Sequence, residues 1–211
     1  MKMSIPMNIS ARFLNKLGLS IWLALPASEA QFKAALDKIY SYRNVYAVTG
    51  YASTIPGLTA DMLADAPLSL VNYLAARLEK LDEWGLDKLA ALMESDMRPQ
   101  TAEELISYLQ KEDCYLFLPD IFTVEELGRY YLYESGLAEM PKRWKDAIGL
   151  VVFGMNAADL ENGAFTSRGY IARLCDKKRK KEITVESVPV RYRLPEPGGA
   201  FAFDQTEGAE Q

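Results

Sequence analysis

Histidine is absent from this chain of 211 residues. That absence removes the side chain that titrates near neutral pH, which is the usual general base of enzymes and the commonest ligand of transition metals. The chemistry that remains belongs to Asp, Glu, Lys, Tyr and Cys side chains and to hard-cation sites built from carboxylates. The absence of histidine therefore excludes much enzyme chemistry and leaves the chemistry of these side chains open.

Cysteine and long apolar runs are also scarce. The two cysteines, Cys114 and Cys175, lie far apart in the sequence, and we expect two buried thiols rather than a disulfide. No window approaches the roughly 18 consecutive apolar residues that a membrane-spanning helix requires. The first residues, Met1–Lys16, lack the apolar run and the cleavage site of a secretory signal. We expect a cytoplasmic protein that does not contact a membrane.

Negative charge is abundant but unevenly distributed along the chain. The net charge is −5, yet residues 61–139 contain 17 acidic residues against six basic ones, a local net charge of −11. The sign reverses beyond Pro141, first with Lys142, Arg143 and Lys145. A run of five consecutive basic residues then follows: Lys177, Lys178, Arg179, Lys180 and Lys181.

The first part of the chain shows the pattern of a small α/β unit. Leu19–Leu25 is a short apolar run that ends at Pro26, which is typical of a buried strand. Ser28 and Gln31 have the spacing of a capping box and precede apolar residues at helical intervals. Asn44–Thr49 is rich in β-prone residues and predicts a second strand.

Helices are predicted next, and a second α/β pattern follows them. Apolar stripes predict helices over Leu70–Leu81, Leu86–Met93 and Leu105–Leu109, with acidic residues on the opposite faces. Cys114–Leu118 reads as a strand and Ala164–Leu174 as a closing strand.

Between those two predicted strands the sequence predicts two further helices. Thr123 and Glu126 form a capping box that opens a helix ending at Gly136, and a short helix follows Pro141.

These patterns together predict an α/β (α+β) protein of three small modules. The predicted modules are an N-terminal α/β module over residues 1–57, a central acidic helical module over 58–113 and a C-terminal α/β module over 114–175. Residues 176–211 are basic and rich in Pro and Gly, so we expect a flexible tail there.

One stretch of the sequence resembles the C-terminal part of the ArdA antirestriction proteins. The block Thr123–Leu137 carries a Tyr-Tyr pair and a Glu-x-Gly ending, and Met140-Pro141 and then Phe153-Gly154 follow in the family's order. The strand Trp22–Pro26 and its capped helix are similar to the family's N-terminal unit. The chain departs from the family pattern at Ala147–Leu150, where the family has Tyr-x-Asp-Tyr, and at Met155-Asn156, where it has Arg-Asp.

The resemblance implies an elongated homodimer with three modules in line, whose carboxylates imitate the phosphates of duplex DNA. Such a protein occupies type I restriction–modification enzymes and does not bind DNA itself, unless through the basic tail. It needs no catalytic residue, so we expect a protein that is not an enzyme and that holds no cofactor and no metal. The acidic surface that the resemblance assigns to this role comprises Asp61, Asp65, Glu79, Asp82, Glu83, Asp87, Glu94, Asp96, Glu103, Glu104, Glu112, Asp113, Glu125, Glu126, Glu134 and Glu139.

Several residue patterns have a second interpretation. The acidic residues also suit a helical surface that is merely soluble. Adjacent acidic pairs could serve acid–base catalysis or metal binding, but adjacent residues on a helix point in different directions, which disfavours this. The cluster Tyr130, Tyr131 and Tyr133 suits a base-stacking platform or, for two of the three, core or dimer contacts. Phe153 and Gly154 suit packing at a domain or dimer interface rather than a ligand loop, because one glycine cannot build a phosphate cradle.

The basic run over 177–181 suits a phosphate-binding or partner-binding segment as well as a solvated linker. This leaves a competing hypothesis, an accessory protein of a mobile element. Such a protein binds nucleic acid or a protein partner through the basic tail and has lost antirestriction activity. A third hypothesis is an interaction scaffold that has kept only the fold.

Overall fold

Two antiparallel sheets and eight α-helices make up the described parts of the chain. The computed structural model describes residues 9–39, 46–174 and 183–196. By its contacts the chain divides into unit 1, residues 1–80, 101–103 and 183–211, and unit 2, residues 81–100 and 104–182. The mixture of helices and small antiparallel sheets confirms the predicted α+β class. The in-line arrangement of three modules stays a prediction.

The sheet of unit 1 has the strand order β2-β1-β3. Its strands are β1 (Ile9–Leu14), β2 (Ser20–Leu25) and β3 (Ala47–Ser53), and all pairings are antiparallel. Ile9, Ala11 and Phe13 are fully buried and alternate with more exposed residues, so one face of β1 points into a core. The strand β1 was missed in the sequence, whereas the predicted strand at Leu19–Leu25 is confirmed by β2.

Helix α1 (Glu29–Lys38) covers the buried face of this sheet. Ser28 and Gln31 form the predicted capping box at its start. Phe32 of α1, Phe13 of β1 and Tyr46 contact one another edge to face, with ring centroids 5.4 to 5.5 Å apart. The three rings form the centre of an aromatic core.

Two further helices complete unit 1. They are α2 (Asp61–Ala64) and α3 (Leu68–Leu78), and almost every residue of α3 is buried. Asn72 of α3 is fully buried and makes three hydrogen bonds: its Oδ1 accepts from the Ala27 amide, and its Nδ2 donates to the carbonyls of Ala27 and Tyr192. Tyr192 lies in a segment that the sequence predicted to be part of the flexible tail.

The prediction of a flexible tail is wrong for residues 183–196. Two 3-10 turns, Val185–Ser187 and Val190–Tyr192, lie in this segment, and Val188 and Leu194 are buried. Ser69 of α3 accepts a hydrogen bond from the Leu194 amide and donates one to its carbonyl. A few apolar side chains and backbone hydrogen bonds to α3 therefore order a segment whose composition alone indicates disorder.

Unit 2 begins with helices that the apolar stripes predicted. Helix α4 spans Glu83–Glu94, and helix α5 spans Ala102–Gln110. The first two residues of α5 are assigned to unit 1 and the rest to unit 2. A 3-10 turn, Glu112–Cys114, leads into β4 (Tyr115–Leu118). Cys114 is disulfide-bonded, so the expectation of two free thiols was wrong.

The sheet of unit 2 has the order β4-β6-β5. The predicted closing strand Ala164–Leu174 is in fact a hairpin of β5 (Ala164–Thr166) and β6 (Gly169–Arg173), because the turn Ser167-Arg168 interrupts it. Tyr170 and Ala172 of β6 form a buried cluster with Leu127.

Three helices lie between β4 and β5. Helix α6 (Val124–Arg129) begins with the predicted capping box and continues as a π-helix, Tyr130–Glu134, before Gly136 adopts the left-handed conformation with φ of 73°. Helix α7 spans Lys142–Lys145, as predicted after Pro141. Helix α8 (Leu150–Glu161) was missed in the sequence, because it is apolar on most sides and shows no helical period.

Candidate functional site

The negative charge of the protein is concentrated in unit 2. Its described residues contain 16 acidic and nine basic side chains, a net charge of −7. The described residues of unit 1 contain eight acidic and eight basic side chains, a net charge of zero. Over their whole length the units carry −4 (18 acidic and 14 basic residues in unit 2) and −1 (11 acidic and 10 basic in unit 1), because the basic run 177–181 belongs to unit 2. Among the described residues, a net anionic surface is therefore a property of unit 2.

The carboxylates of the predicted acidic surface all lie at least partly in solvent. None of the 16 is buried, and only four are half-buried, namely Asp87, Glu103, Glu104 and Glu126. Four of the 16 belong to unit 1: Asp61, Asp65, Glu79 and Glu103. The other 12 belong to unit 2.

Two carboxylates on helix α4 hold the turn between β5 and β6. Glu94 accepts hydrogen bonds from the amide and the hydroxyl of Ser167, both at 2.8 Å. Asp87 forms an ion pair with Arg168, with 3.0 Å between Oδ1 and Nη1. These two acidic residues therefore have a structural role, and the charge of Asp87 is compensated by its partner.

Four more carboxylates of unit 2 act at helix starts or in a helical ion pair. Asp82 caps α4 by accepting from the Gly85 amide, Glu104 accepts from the Gln100 amide, and Glu125 pairs with Arg129 one turn later. Glu126 accepts from the amides of Phe122 and Thr123. These hydrogen bonds favour its charged form and hold its pKa below the usual range of a glutamate.

The remaining six carboxylates of the predicted surface in unit 2 are committed to no internal contact. Across the described ranges of the chain, their side chains have neither a hydrogen-bond partner nor an ion-pair partner. Five are exposed on helices, turns or the segment before α7, and the sixth, Asp96, is exposed after α4. This set, called here the free carboxylates, comprises Glu83, Asp96, Glu112, Asp113, Glu134 and Glu139.

The tyrosine pair of the sequence motif lies in the π-helix, and its two members have different roles. Tyr130 and Tyr131 contact each other edge to face at 5.3 Å. The Tyr131 hydroxyl donates to Glu161 of α8, and the Tyr170 hydroxyl donates to the other oxygen of the same carboxylate at 2.6 Å. Burial and this anionic acceptor raise the pKa of both phenols above the usual value.

Glu161 was missed in the sequence as a structural residue. It lies at the last position of α8, a helix that the apolar pattern did not reveal, so nothing in its neighbourhood indicated a partner. Its carboxylate joins α8, the π-helix and β6 within unit 2.

Gly154 lies where α8 crosses α6. A Cβ added at Gly154 would stand 1.7 Å from the Val124 carbonyl oxygen, and one at Gly128 of α6 would stand 2.2 Å from the Leu150 carbonyl oxygen. The two glycines allow the helix backbones to approach this closely. Phe153, its neighbour in the motif, is half-buried.

The basic run Lys177–Lys181 lies outside the described residues. Within the described residues, no group of three Asp, Glu or Cys side chains is placed to hold a metal ion. Over the same ranges, no helix has the length and apolar character needed to cross a membrane.

Fold and surface together define a class of protein. It is an α+β protein whose conspicuous feature is a net anionic unit with exposed, uncommitted carboxylates. The family model of the antirestriction protein ArdA matches residues 19–172 of the chain, which is most of its length. The chain belongs to the ArdA family of antirestriction proteins, whose members are inhibitors without catalysis.

A search of curated individual proteins returned no match. The family match extends over parts of both units, from β2 at the start of the N-terminal resemblance to Ala172 in β6, the last strand among the described residues. Membership in this family gives the chain an antirestriction function and makes restriction–modification enzymes its partners in general terms.

Proposed function

We propose that this protein inhibits type I restriction–modification enzymes by imitating DNA with the carboxylates of unit 2. One observation carries the proposal: in a chain of an antirestriction family, the described residues of unit 2 carry a net charge of −7 and those of unit 1 none, and six of the exposed carboxylates of unit 2 have no hydrogen-bond or ion-pair partner. Carboxylates with structural partners already serve the fold. The free carboxylates are available to cations of another protein.

Elementary electrostatics supports competition with DNA. Duplex DNA carries about one negative charge per 1.7 Å of its axis, and enzymes that bind it present Lys and Arg side chains along a channel. A folded surface of carboxylates releases the same counterions and is attracted at long range by the same field. It presents no base and no scissile phosphate, so the enzyme is occupied without turnover.

The test is direct binding of the full-length protein to a purified type I enzyme at low salt. The test variant carries Asp113→Asn, Glu134→Gln and Glu139→Gln, three free carboxylates of unit 2. The matched control carries Asp37→Asn, Asp61→Asn and Glu79→Gln, which remove the same charge at exposed positions of unit 1. At about 0.5 kcal/mol per charge, the test variant should bind roughly tenfold more weakly, with the control close to the wild type.

Added salt should reduce the difference between the two variants, because salt screens exposed charges. Equal affinity of wild type and test variant at low salt would eliminate the mimicry mechanism while leaving the family assignment intact.

Helix α8 supports the further proposal of a homodimer. Val152 and Leu160 on its outer face are 64% and 84% exposed, and Val151 and Met155 beside them are about half exposed. An apolar helix face of this kind is typical of a protein interface. Val152→Glu should convert a dimer to a monomer in sedimentation velocity, whereas Leu137→Glu, at another exposed leucine, should not. A wild-type monomer at every concentration would contradict the dimer.

The proposal places the protein in the cytoplasm, where restriction enzymes act on DNA. A gel shift with plain duplex DNA separates mimicry from the competing hypothesis of an accessory protein that binds nucleic acid. A mimic leaves the duplex unshifted. A shift that disappears when residues 176–211 are deleted would favour the accessory protein.

A further inference from the structure

A cavity of about 430 Å³ in unit 2 has a positive lining, against the charge of the unit around it. One wall is a face of α5 with Ser107, Tyr108 and the following Lys111. The segment after α4 supplies Arg98, and the strands supply Tyr115 of β4 and Arg173 of β6. Its lining contains three cations and two carboxylates, while the described unit has 16 acidic and nine basic residues.

The three cations of the cavity have no anionic partner. Among the described residues, no carboxylate lies within 4.0 Å of the charged nitrogens of Arg98, Lys111 or Arg173. This holds although Asp96 and Glu104 line the same cavity, and although Glu104 already accepts from the Gln100 amide. Uncompensated cations that converge on one cavity are a feature of anion sites.

In Arg173, a buried side-chain nitrogen has no hydrogen-bond acceptor. Its Nε is buried and has no hydrogen-bond partner among the described residues, which is unusual because a buried donor without an acceptor is costly. Its guanidinium carbon lies 5.8 Å from the ring centroid of Tyr115. The side chain is thus held against an aromatic face and lacks the oxygen atom that a guanidinium normally binds.

The other walls offer aromatic and hydroxyl groups. Tyr108 and Tyr115 contact each other edge to face at 4.9 Å, and Ser107 contributes a hydroxyl beside them. Aromatic walls next to cations suit a ligand that joins a phosphate to a flat or sugar-like group. The volume exceeds that of a single inorganic phosphate and is in the range of small-molecule sites, about 300 to 1,000 Å³.

We propose that this cavity binds a phosphorylated small molecule, with its phosphate oxygens among Arg98, Lys111 and Arg173. Two lining residues, Asp96 and Glu104, also belong to the predicted acidic surface. The site nevertheless differs from that surface in chemistry, because its three cations attract anions, whereas the surface attracts cations. It does not depend on the antirestriction mechanism and exists whether or not DNA mimicry is correct.

The experiment is isothermal titration calorimetry of the full-length protein at low salt without divalent cations. The probes are inorganic pyrophosphate, adenosine triphosphate and, as a non-phosphate oxyanion of similar charge, citrate. The test variant is Arg98→Gln with Lys111→Gln. The matched control is Lys142→Gln with Arg143→Gln, two exposed cations of the same unit that do not line the cavity.

The expected result is saturable binding of a phosphorylated probe by one site, weakened about tenfold or more in the test variant and by less than about twofold in the control. Tighter binding of adenosine triphosphate than of pyrophosphate would assign a role to the tyrosine walls and identify a nucleotide-like ligand. Equal binding would identify the phosphate end alone. Arg173→Gln is a second variant, to be used only where circular dichroism shows a native fold.

Three results would overturn the proposal. The first is no saturable binding of either phosphorylated probe up to about 10 mM. The second is binding that survives in the test variant or falls equally in the control, which would assign the anion to another basic segment such as Lys177–Lys181. The third is citrate binding as tightly as the phosphorylated probes.

Discussion

Unit 1 and unit 2 are stabilised by different chemistry. Unit 1 is neutral in its described residues and has a core of three contacting aromatic rings and a buried asparagine amide. Unit 2 carries a net charge of −7 in its described residues and uses carboxylates to join its elements, as Glu94 does at Ser167 and Glu161 at two tyrosines. The same type of side chain thus serves folding and surface charge in unit 2.

The internal contacts of a carboxylate determine whether a substitution there gives a clear result about DNA mimicry. Removing a carboxylate such as Glu94 or Asp87 alters the fold and the surface charge together, so its effect on inhibition has two explanations. Removing a free carboxylate alters the charge alone. The internal contacts of each carboxylate must therefore be known before a variant of a charged inhibitor is chosen.

The largest effect should follow from Gly154→Ala in unit 2. The added Cβ meets the Val124 carbonyl oxygen at 1.7 Å, so α6 and α8 must separate, at a cost of about 3 kcal/mol or more. Gly50→Ala on β3 of unit 1 is the control, because its Cβ meets nothing within 4 Å. Chemical denaturation followed by circular dichroism measures both, and equal stability of the two variants would contradict the close helix crossing.

Asn72→Ala should have the largest effect among polar residues of unit 1. It removes three buried hydrogen bonds, to Ala27 and Tyr192, and leaves their backbone groups unsatisfied, at a cost of about 3 kcal/mol. Gln110→Ala, at the exposed last position of α5, should change stability by less than about 0.5 kcal/mol. Limited proteolysis should also cleave residues 183–196 faster in the first variant, and unchanged protection would argue against docking of this segment by Asn72.

Glu94→Gln should destabilise unit 2 by a smaller amount. The amide oxygen of glutamine keeps at most one acceptor for Ser167 and loses the charge, so the expected loss is about 1 kcal/mol. Glu83→Gln on the same helix removes a free carboxylate and should leave the unfolding midpoint nearly unchanged. A loss in Glu83→Gln as great as in Glu94→Gln would remove the distinction between structural and free carboxylates.

The smallest effect should be a change in acid sensitivity through Glu126. Hydrogen bonds from Phe122 and Thr123 lower its pKa in the folded protein, so its stabilising contribution is present above the unfolded pKa. That contribution is lost as the pH falls through the lower, folded pKa. Glu126→Gln should therefore be less stable than wild type at pH 7, and the gap should narrow toward pH 3. A gap that is constant with pH would contradict the lowered pKa.

Local signals in the sequence predicted two helix starts and one helix end. The capping boxes at Ser28 and Thr123 and the left-handed Gly136 were predicted from residue types within a few positions of one another. Such features depend on hydrogen bonds between near neighbours, which a pattern of residues specifies directly.

Features that depend on distant partners were not predictable in this way. Helix α8 has no amphipathic period because its inner face meets α6 through glycine and its outer face is apolar. Residues 183–196 are ordered by Ser69 and Asn72, more than 100 positions earlier in the chain. For the candidate site, the acidic composition was predictable, but the division into structural and free carboxylates required the contacts with Ser167, Arg168 and backbone amides.

The most direct test of the central claim is a restriction assay in cells that express a type I system. Unmodified phage are plated on cells producing wild-type protein, the variant Asp113→Asn/Glu134→Gln/Glu139→Gln, or the charge-matched unit 1 control Asp37→Asn/Asp61→Asn/Glu79→Gln at equal expression. We predict that wild type and control relieve restriction and that the first variant loses most of the relief. Full relief by a folded variant without those three carboxylates would contradict the claim that the charge of unit 2 imitates DNA.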